Sequence, residues 1–236
     1  MHRVLQPCAL RALLLTLLAT LALPLGCPAV ALAQRSTPIQ LLHPAGAAND
    51  LFGSAVAIDG DTMVIGAPTD DVGANTNQGS AQIYRWTGAG WSFEATLTAA
   101  DGAANDSFGR TVAIAGAGDT VLVGARFDDV GANTNQGSAY VFVRSGSTWT
   151  QQAKLTAADG ANSDQFGISV ALSGDTALVG AWLNDVVTTD QGAAYVFVRS
   201  GSTWTQQARL NAADGAPFDQ FGFSVALGGS GDTALV

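Results

Sequence analysis

The chain is short of the residues that carry most enzyme chemistry. It has two cysteines, Cys8 and Cys27, both near the N-terminus, and two histidines, His2 and His43. Glu94 is the only glutamate, so the acidic side is almost entirely aspartate, and charged residues make up only 12% of the chain. Few cysteines exclude a small disulfide-stapled domain and leave a packed core to hold the fold. Histidine-rich metal centres and Cys-His nucleophilic sites are excluded on the same count. A Ser-His-Asp site would have to be built on His43 alone, which is read as a surface or strand-edge residue. A net charge of −9 argues against nucleic acid or an anionic membrane as the main partner.

The N-terminus differs in kind from the rest. Arg3 and Arg11 precede the apolar run ALLLTLLATLALPLG, and Ala31-Leu32-Ala33 supplies a small-residue cleavage pattern. That is the layout of a secretory signal peptide, residues 1–33, and it predicts export to the periplasm, the cell surface or the medium. Pro24, Gly26 and Pro28 interrupt the run before it is long enough to span a membrane. Cleavage would remove both cysteines and leave no membrane span.

What the chain has in quantity is glycine, 28 residues, and repetition. Ala139–Ala153 and Ala194–Ala208 both read AYVFVRSGSTWTQQA. An active site needs such a stretch once, whereas a building unit needs it every time. Phe-Gly pairs at Phe52-Gly53, Phe108-Gly109, Phe166-Gly167 and Phe221-Gly222 set a period of about 55 to 58 residues. Each pair opens four strand candidates divided by glycine and aspartate turns. The first two, such as SVAL and TALVGA, are apolar on consecutive residues and are expected to be covered on both faces. The fourth alternates, with Trp149, Gln151, Ala153 and Leu155 on one face and Thr150, Gln152 and Lys154 on the other. In the first unit Trp91, Phe93, Ala95 and Leu97 oppose Ser92, Glu94 and Thr96. Buried inner strands and a half-wet outer strand, in four-stranded units, predict an all-β chain folded as a β-propeller. The units run over about 39–97, 98–155, 156–210 and, in part, 211–236.

Three of the Phe-Gly openings are followed at constant distance by Gly66-Ala67, Gly124-Ala125 and Gly180-Ala181, the first inside VIGAP. The pattern resembles FG-GAP repeats, the blades of the integrin alpha-subunit propeller and of many secreted bacterial proteins. The resemblance implies a propeller acting in adhesion or ligand binding outside the cell, often with calcium in some blades. The family's calcium loop between the first two strands is absent: the turn is IDGD in the first unit and SGD in the third, and Asp59 with Asp61 cannot supply six to eight oxygens there. About three and a half units do not close a ring, so the chain is read as a fragment or a truncated reading frame, with two half-rings assembling as a dimer as the alternative.

Within this frame the glycines are expected to admit a neighbouring backbone, and Phe52, Phe108, Phe166 and Phe221 to plug the space between blades. The loop DDVGANTNQG, found in both of the first two units, offers Asp71, Asn75 and Asn77 as spaced oxygen donors for a cation. The alternative is that these side chains shape the loop through bonds to its own backbone. The AADGA turns carrying Asp101, Asp159 and Asp214 are read as loop chemistry too. The functional expectation is a non-enzymatic exported scaffold that binds a protein or glycan, with no catalytic residue and no cofactor beyond possible calcium. The alternatives are an exported propeller enzyme with its catalytic residues beyond Val236, and a structural calcium-binding module.

Overall fold

A computed structural model describes residues 39–236, and the signal-peptide reading of 1–33 lies outside them. Leu41–Val236 forms one compact unit. Among the described residues there is no helix. Twelve strands form three four-stranded antiparallel sheets, each in simple chain order. The first blade holds β1 (Ala55–Asp59), β2 (Thr62–Ala67), β3 (Ser80–Trp86) and β4 (Trp91–Leu97). The second holds β5 (Thr111–Ala115), β6 (Thr120–Ala125), β7 (Ser138–Ser145) and β8 (Thr148–Leu155). The third holds β9 (Phe166–Ser173), β10 (Thr176–Ala181), β11 (Ala193–Ser200) and β12 (Thr203–Leu210). A short pair, β13 (Ala226–Leu227) with β14 (Ala234–Leu235), begins a fourth. The first strands β1, β5, β9 and β13 are neighbours in that order, so the sheets stand as blades of an incomplete, unclosed propeller.

Two apolar layers fill the spaces between the full blades. Phe108 lies fully buried among Val64, Ile83 and Leu97 of the first blade and Tyr140 and Phe142 of the second. Phe166 lies likewise among Leu122, Val141 and Leu155 of the second and Tyr195 and Phe197 of the third. Each Phe packs against two aromatic rings of its own blade with centroids 5.5 to 5.9 Å apart, edge-on in three pairs and tilted between Phe166 and Tyr195. Phe52 is only half-buried, set edge-on to His43 at 5.5 Å, and Phe221 is half-buried beside the short fourth blade.

The Phe-Gly and Gly-Ala motifs are two halves of one contact. A Cβ on Gly66 would collide with the carbonyl oxygen of Gly109, and the same holds for Gly124 against Gly167 and Gly180 against Gly222. The Gly-Ala strand of one blade is thus pressed on the Phe-Gly backbone of the next. Gly109 and Gly167 also sit at φ of +90° and +92°, a left-handed conformation in which glycine carries no Cβ penalty.

Two expectations need correction. The second strands are covered on both faces, but β1 is not: Val56 and Ile58 are 65% and 59% exposed, on a side of the first blade that no described residue covers. The simple alternation of the fourth strands also fails. A bulge pairs Phe142 with Gln151 but Val141 with Ala153, leaving Gln152 without a cross-strand partner. Glu94 and Gln207 are the bulged residues of the first and third blades. An extra residue flips every following side chain to the other face. Trp149 therefore packs on the layer shared with the first blade, while Ala153 and Leu155 pack on the layer shared with the third.

Candidate functional site

The repeated TWTQQA segment is a fastening between blades. Gln151 accepts a hydrogen bond from the Ala100 N–H of the preceding loop at 2.9 Å, and Gln206 does the same with Ala158 at 3.0 Å. The bulged Gln152 points the other way and accepts from the Trp204 indole of the third blade at 2.9 Å. In the first blade the bulged residue is Glu94, which accepts from Trp149 at 2.8 Å and from Arg144 through two parallel bonds of 2.7 and 2.9 Å. The bonds from the Arg144 guanidinium, opposed by burial, hold the Glu94 carboxyl below the ordinary range. The duplicated residues are thus spent on assembly.

The DDVGANTNQG loop resolves in the same direction. Asp71 accepts from the Asn77 N–H, and Asn75 donates its amide hydrogens to Gln78 and to the Gly102 carbonyl at 2.8 and 2.9 Å. Asp129, Asn135, Asn133, Gln136 and Gly160 repeat these bonds in the second blade. These side chains brace the loop against the next blade connection. In the AADGA turns, Asp101 pairs with Lys154 at 2.7 Å and Asp159 with Arg209 at 2.5 Å, so both reach across strands rather than shaping the turn alone.

A second repeated feature was not singled out from the sequence: an aspartate two residues before each Phe-Gly. Asp50, Asp106, Asp164 and Asp219 accept from the N–H three residues earlier, and the first three are buried. Beside each of those three stands the first residue of the next loop, Asp70, Asp128 or Asn184, and the blades neutralise the pair in three ways. In the third, Asn184 donates its amide to Asp164 at 2.7 Å. In the second, the Lys154 ammonium reaches Asp128 at 2.8 Å, and burial with the nearby Asp128 charge pushes Asp106 up to about 6, although the bond from Ala103 pulls the other way.

In the first blade the partner is His43. Its side chain is only 6% exposed, which corrects the surface part of the reading of His43 as a surface or strand-edge residue. His43, Asp50 and Asp70 each place one ligand atom within 4.8 Å of the others, the one such group among the described residues. The Ala45 N–H donates to Nδ1 at 3.2 Å, while Nε2 lies 3.3 Å from Asp70 and 2.7 Å from the Gln82 amide nitrogen. Asp50 already accepts from Ala47 and Asp70 from the Ser80 hydroxyl, both at 2.5 Å. The group is satisfied as a hydrogen-bonded cluster.

The second and third blades differ most at one rim, where second strands end and first strands begin. The interlocked glycines put the residue after each Gly-Ala beside the residue after the next Phe-Gly. Following the rim gives Pro68, Arg110, Arg126, Ile168, Trp182 and Phe223, in an otherwise repetitive chain. Arg110 and Phe223 are exposed, Arg126 and Trp182 half-buried, and Pro68 and Ile168 buried. Trp182 meets Phe223 with ring centroids 5.3 Å apart and donates its indole N–H to Gln165 at 3.1 Å. The Arg126 guanidinium lies 4.3 Å over the Phe127 ring. Phe218 stands 65% exposed on the adjoining connection with φ of +68°.

Comparison with known families agrees with the repeat. The FG-GAP repeat model matches residues 40–84, 91–142, 149–197 and 204–236. The chain belongs to the FG-GAP repeat family. Its Gly-Ala and Phe-Gly residues from Gly66 to Gly222 are the interlock described above, and Gly53 meets no neighbouring backbone among the described residues. No curated protein matches the chain. Among solved structures, the crystal structure of Saccharomyces cerevisiae Sqt1 is similar at a TM-score of 0.45 and 10% identity, over 70% of this chain and 36% of that one. The chain thus spans about a third of the length of that structure.

Proposed function

We propose that this FG-GAP repeat scaffold is an exported, non-enzymatic binding module that takes a protein or glycan ligand on its loop rim, at or outside the cell surface. The observation that carries this reading is the contrast between frame and rim. Residues that recur from blade to blade are engaged in holding blades together, and the larger differences between the second and third blades lie at one end. A scaffold that displays individual side chains on copied units is how repeat proteins build recognition surfaces. The repeated carboxylates are already committed to backbone, amide and ammonium partners, which supports a structural use for them. Export rests on the pattern in residues 1–33.

The test is binding of the purified protein to arrayed glycans and extracellular proteins, with two sets of variants. Trp182→Ala and Phe223→Ser alter the rim, whereas Ser147→Glu and Ser202→Glu alter the turns at the opposite end of the second and third blades. Loss of binding in the first set alone is expected. Loss in the second set alone would overturn the choice of face, and turnover of a bound ligand would overturn the non-enzymatic reading.

A further inference from the structure

Charge bookkeeping singles out one part of the rim. Among the described residues, Arg85, Arg144, Lys154, Arg199 and Arg209 each have a carboxylate within ion-pair distance. Arg110 and Arg126 have none, in a chain with a net charge of −9. Thr111 pairs with Gly124, so Arg110 and Arg126 stand at the same end of neighbouring strands. Burial, with the Arg110 charge adding to it, holds the Arg126 guanidinium below its ordinary range. The Arg126 Nε is buried with no hydrogen-bond partner, one of four such side-chain atoms among the described residues. A buried unsatisfied donor and two like charges side by side are both unfavourable unless an anion joins them. Further along the same rim stand Trp182 and Phe223, a ring pair with an exposed face.

We propose that the rim recognises an acidic glycan, with an oxyanion of one sugar held by Arg110 and Arg126 and a neighbouring sugar ring packed on Trp182 and Phe223. This rests on the reading of the rim as a ligand surface. A guanidinium presents a planar fork of donors that matches a carboxylate or sulfate, and Phe127 behind Arg126 keeps that fork in place. An aromatic face takes the apolar C–H face of a sugar ring, while a simple acidic peptide has no use for it. The chain's negative field gives no long-range attraction for a polyanion, so binding depends on short-range contacts. With about two oxyanion contacts, the dependence on salt is shallow compared with a nucleic-acid binder.

The experiment titrates the protein with four probes of matched length: oligogalacturonate, a sulfated galactan oligomer, a neutral galactan oligomer and poly-glutamate. Calorimetry gives the Kd. One of the two acidic glycans is expected to bind at least about tenfold tighter than the neutral one, and which one tells carboxylate from sulfate recognition. Arg110→Gln, at an exposed position, should weaken that binding about tenfold with the melting temperature unchanged. Trp182→Ala should weaken it as well. Neutral galactan binding as tightly as the acidic glycans, with Trp182→Ala abolishing it, would overturn the anionic site and leave the rim as a ligand surface. Poly-glutamate binding as tightly as the acidic glycans, with Trp182→Ala without effect, would replace the glycan by an acidic peptide. Binding of none of the four overturns the proposal, and the array experiment then decides whether the rim binds anything else.

Discussion

The interface between the first and second blades and that between the second and third use the same motif residues, yet they are fastened by different electrostatics. At the first, the bulged Glu94 is ion-paired to Arg144 and bonded to Trp149. At the second, the bulged residue is neutral Gln152, bonded to Trp204 alone. The buried pair beside the second Phe-Gly is Asp106 with Asp128, relieved by a lysine, whereas beside the third it is Asp164 with Asn184, relieved by an amide. The apolar plug and the glycine interlock are common to both. The difference teaches that shape is the invariant of this repeat and charge is the adjustable part.

The largest effect should come from breaking what the two interfaces share. Phe166→Ala empties a fully buried site between the second and third blades and should cost about 3–5 kcal/mol in urea unfolding. Phe52→Ala removes a half-buried ring that meets His43, and should cost clearly less, about 1–2 kcal/mol. Equal losses at the two positions would show that burial between blades is not what the phenylalanine contributes.

A smaller effect tests the charge on one side of the comparison. Burial pushes Asp106 up to about 6 from an ordinary 3.8. Between those values the folded chain keeps a proton that the unfolded chain has released. Stability therefore falls as pH rises through this window and levels off above it. Asp106→Asn makes an amide–carboxylate pair like that of the third blade with the two positions exchanged. Relative to wild type it should gain up to about 3 kcal/mol at pH 8 and little at pH 4. Parallel unfolding curves at the two pH values would mean that Asp106 is charged at little cost.

Glu94→Gln converts the first interface toward the second. It keeps an acceptor for Trp149 but loses the charge-assisted fork with Arg144, and about 1–2 kcal/mol of stability should go with it. Because burial lets salt screen this pair only partly, the loss should persist at 0.5 M salt. A variant as stable as wild type would make Arg144 a bystander and remove the contrast between the interfaces.

The period, the four strands per unit and the Phe-Gly and Gly-Ala motifs were legible in the sequence, because glycine and buried aromatic residues leave few alternatives. The facing of the fourth strands was not. TWTQQA reads as plain alternation, and only cross-strand register shows that one glutamine is extra. Asp50, Asp106 and Asp164 do not stand out in the sequence, where aspartate beside a turn is ordinary, and burial alone sets these apart. His43 lies 27 residues before Asp70, so their contact is a product of the fold. The rim was hidden for the opposite reason: its residues are the ones that do not repeat, and a search for repetition looks past them.

The smallest effect sits at the bulge itself. Gln152→Ala leaves the Trp204 indole N–H without its acceptor and should cost about 1 kcal/mol, the usual worth of one neutral hydrogen bond. Gln152→Glu restores an acceptor, and at the second interface Arg199 occupies the place that Arg144 holds at the first. Arg199 now pairs with Asp175 at 2.6 Å. If charge is the adjustable part of the repeat, Gln152→Glu should recover the stability lost in Gln152→Ala, and Asp175→Asn should raise it further by freeing Arg199 for the new carboxylate. Chemical denaturation of the three variants reads this directly. A Gln152→Glu chain weaker than Gln152→Ala would mean that Arg199 cannot leave Asp175, and that the interfaces differ in geometry as well as in charge.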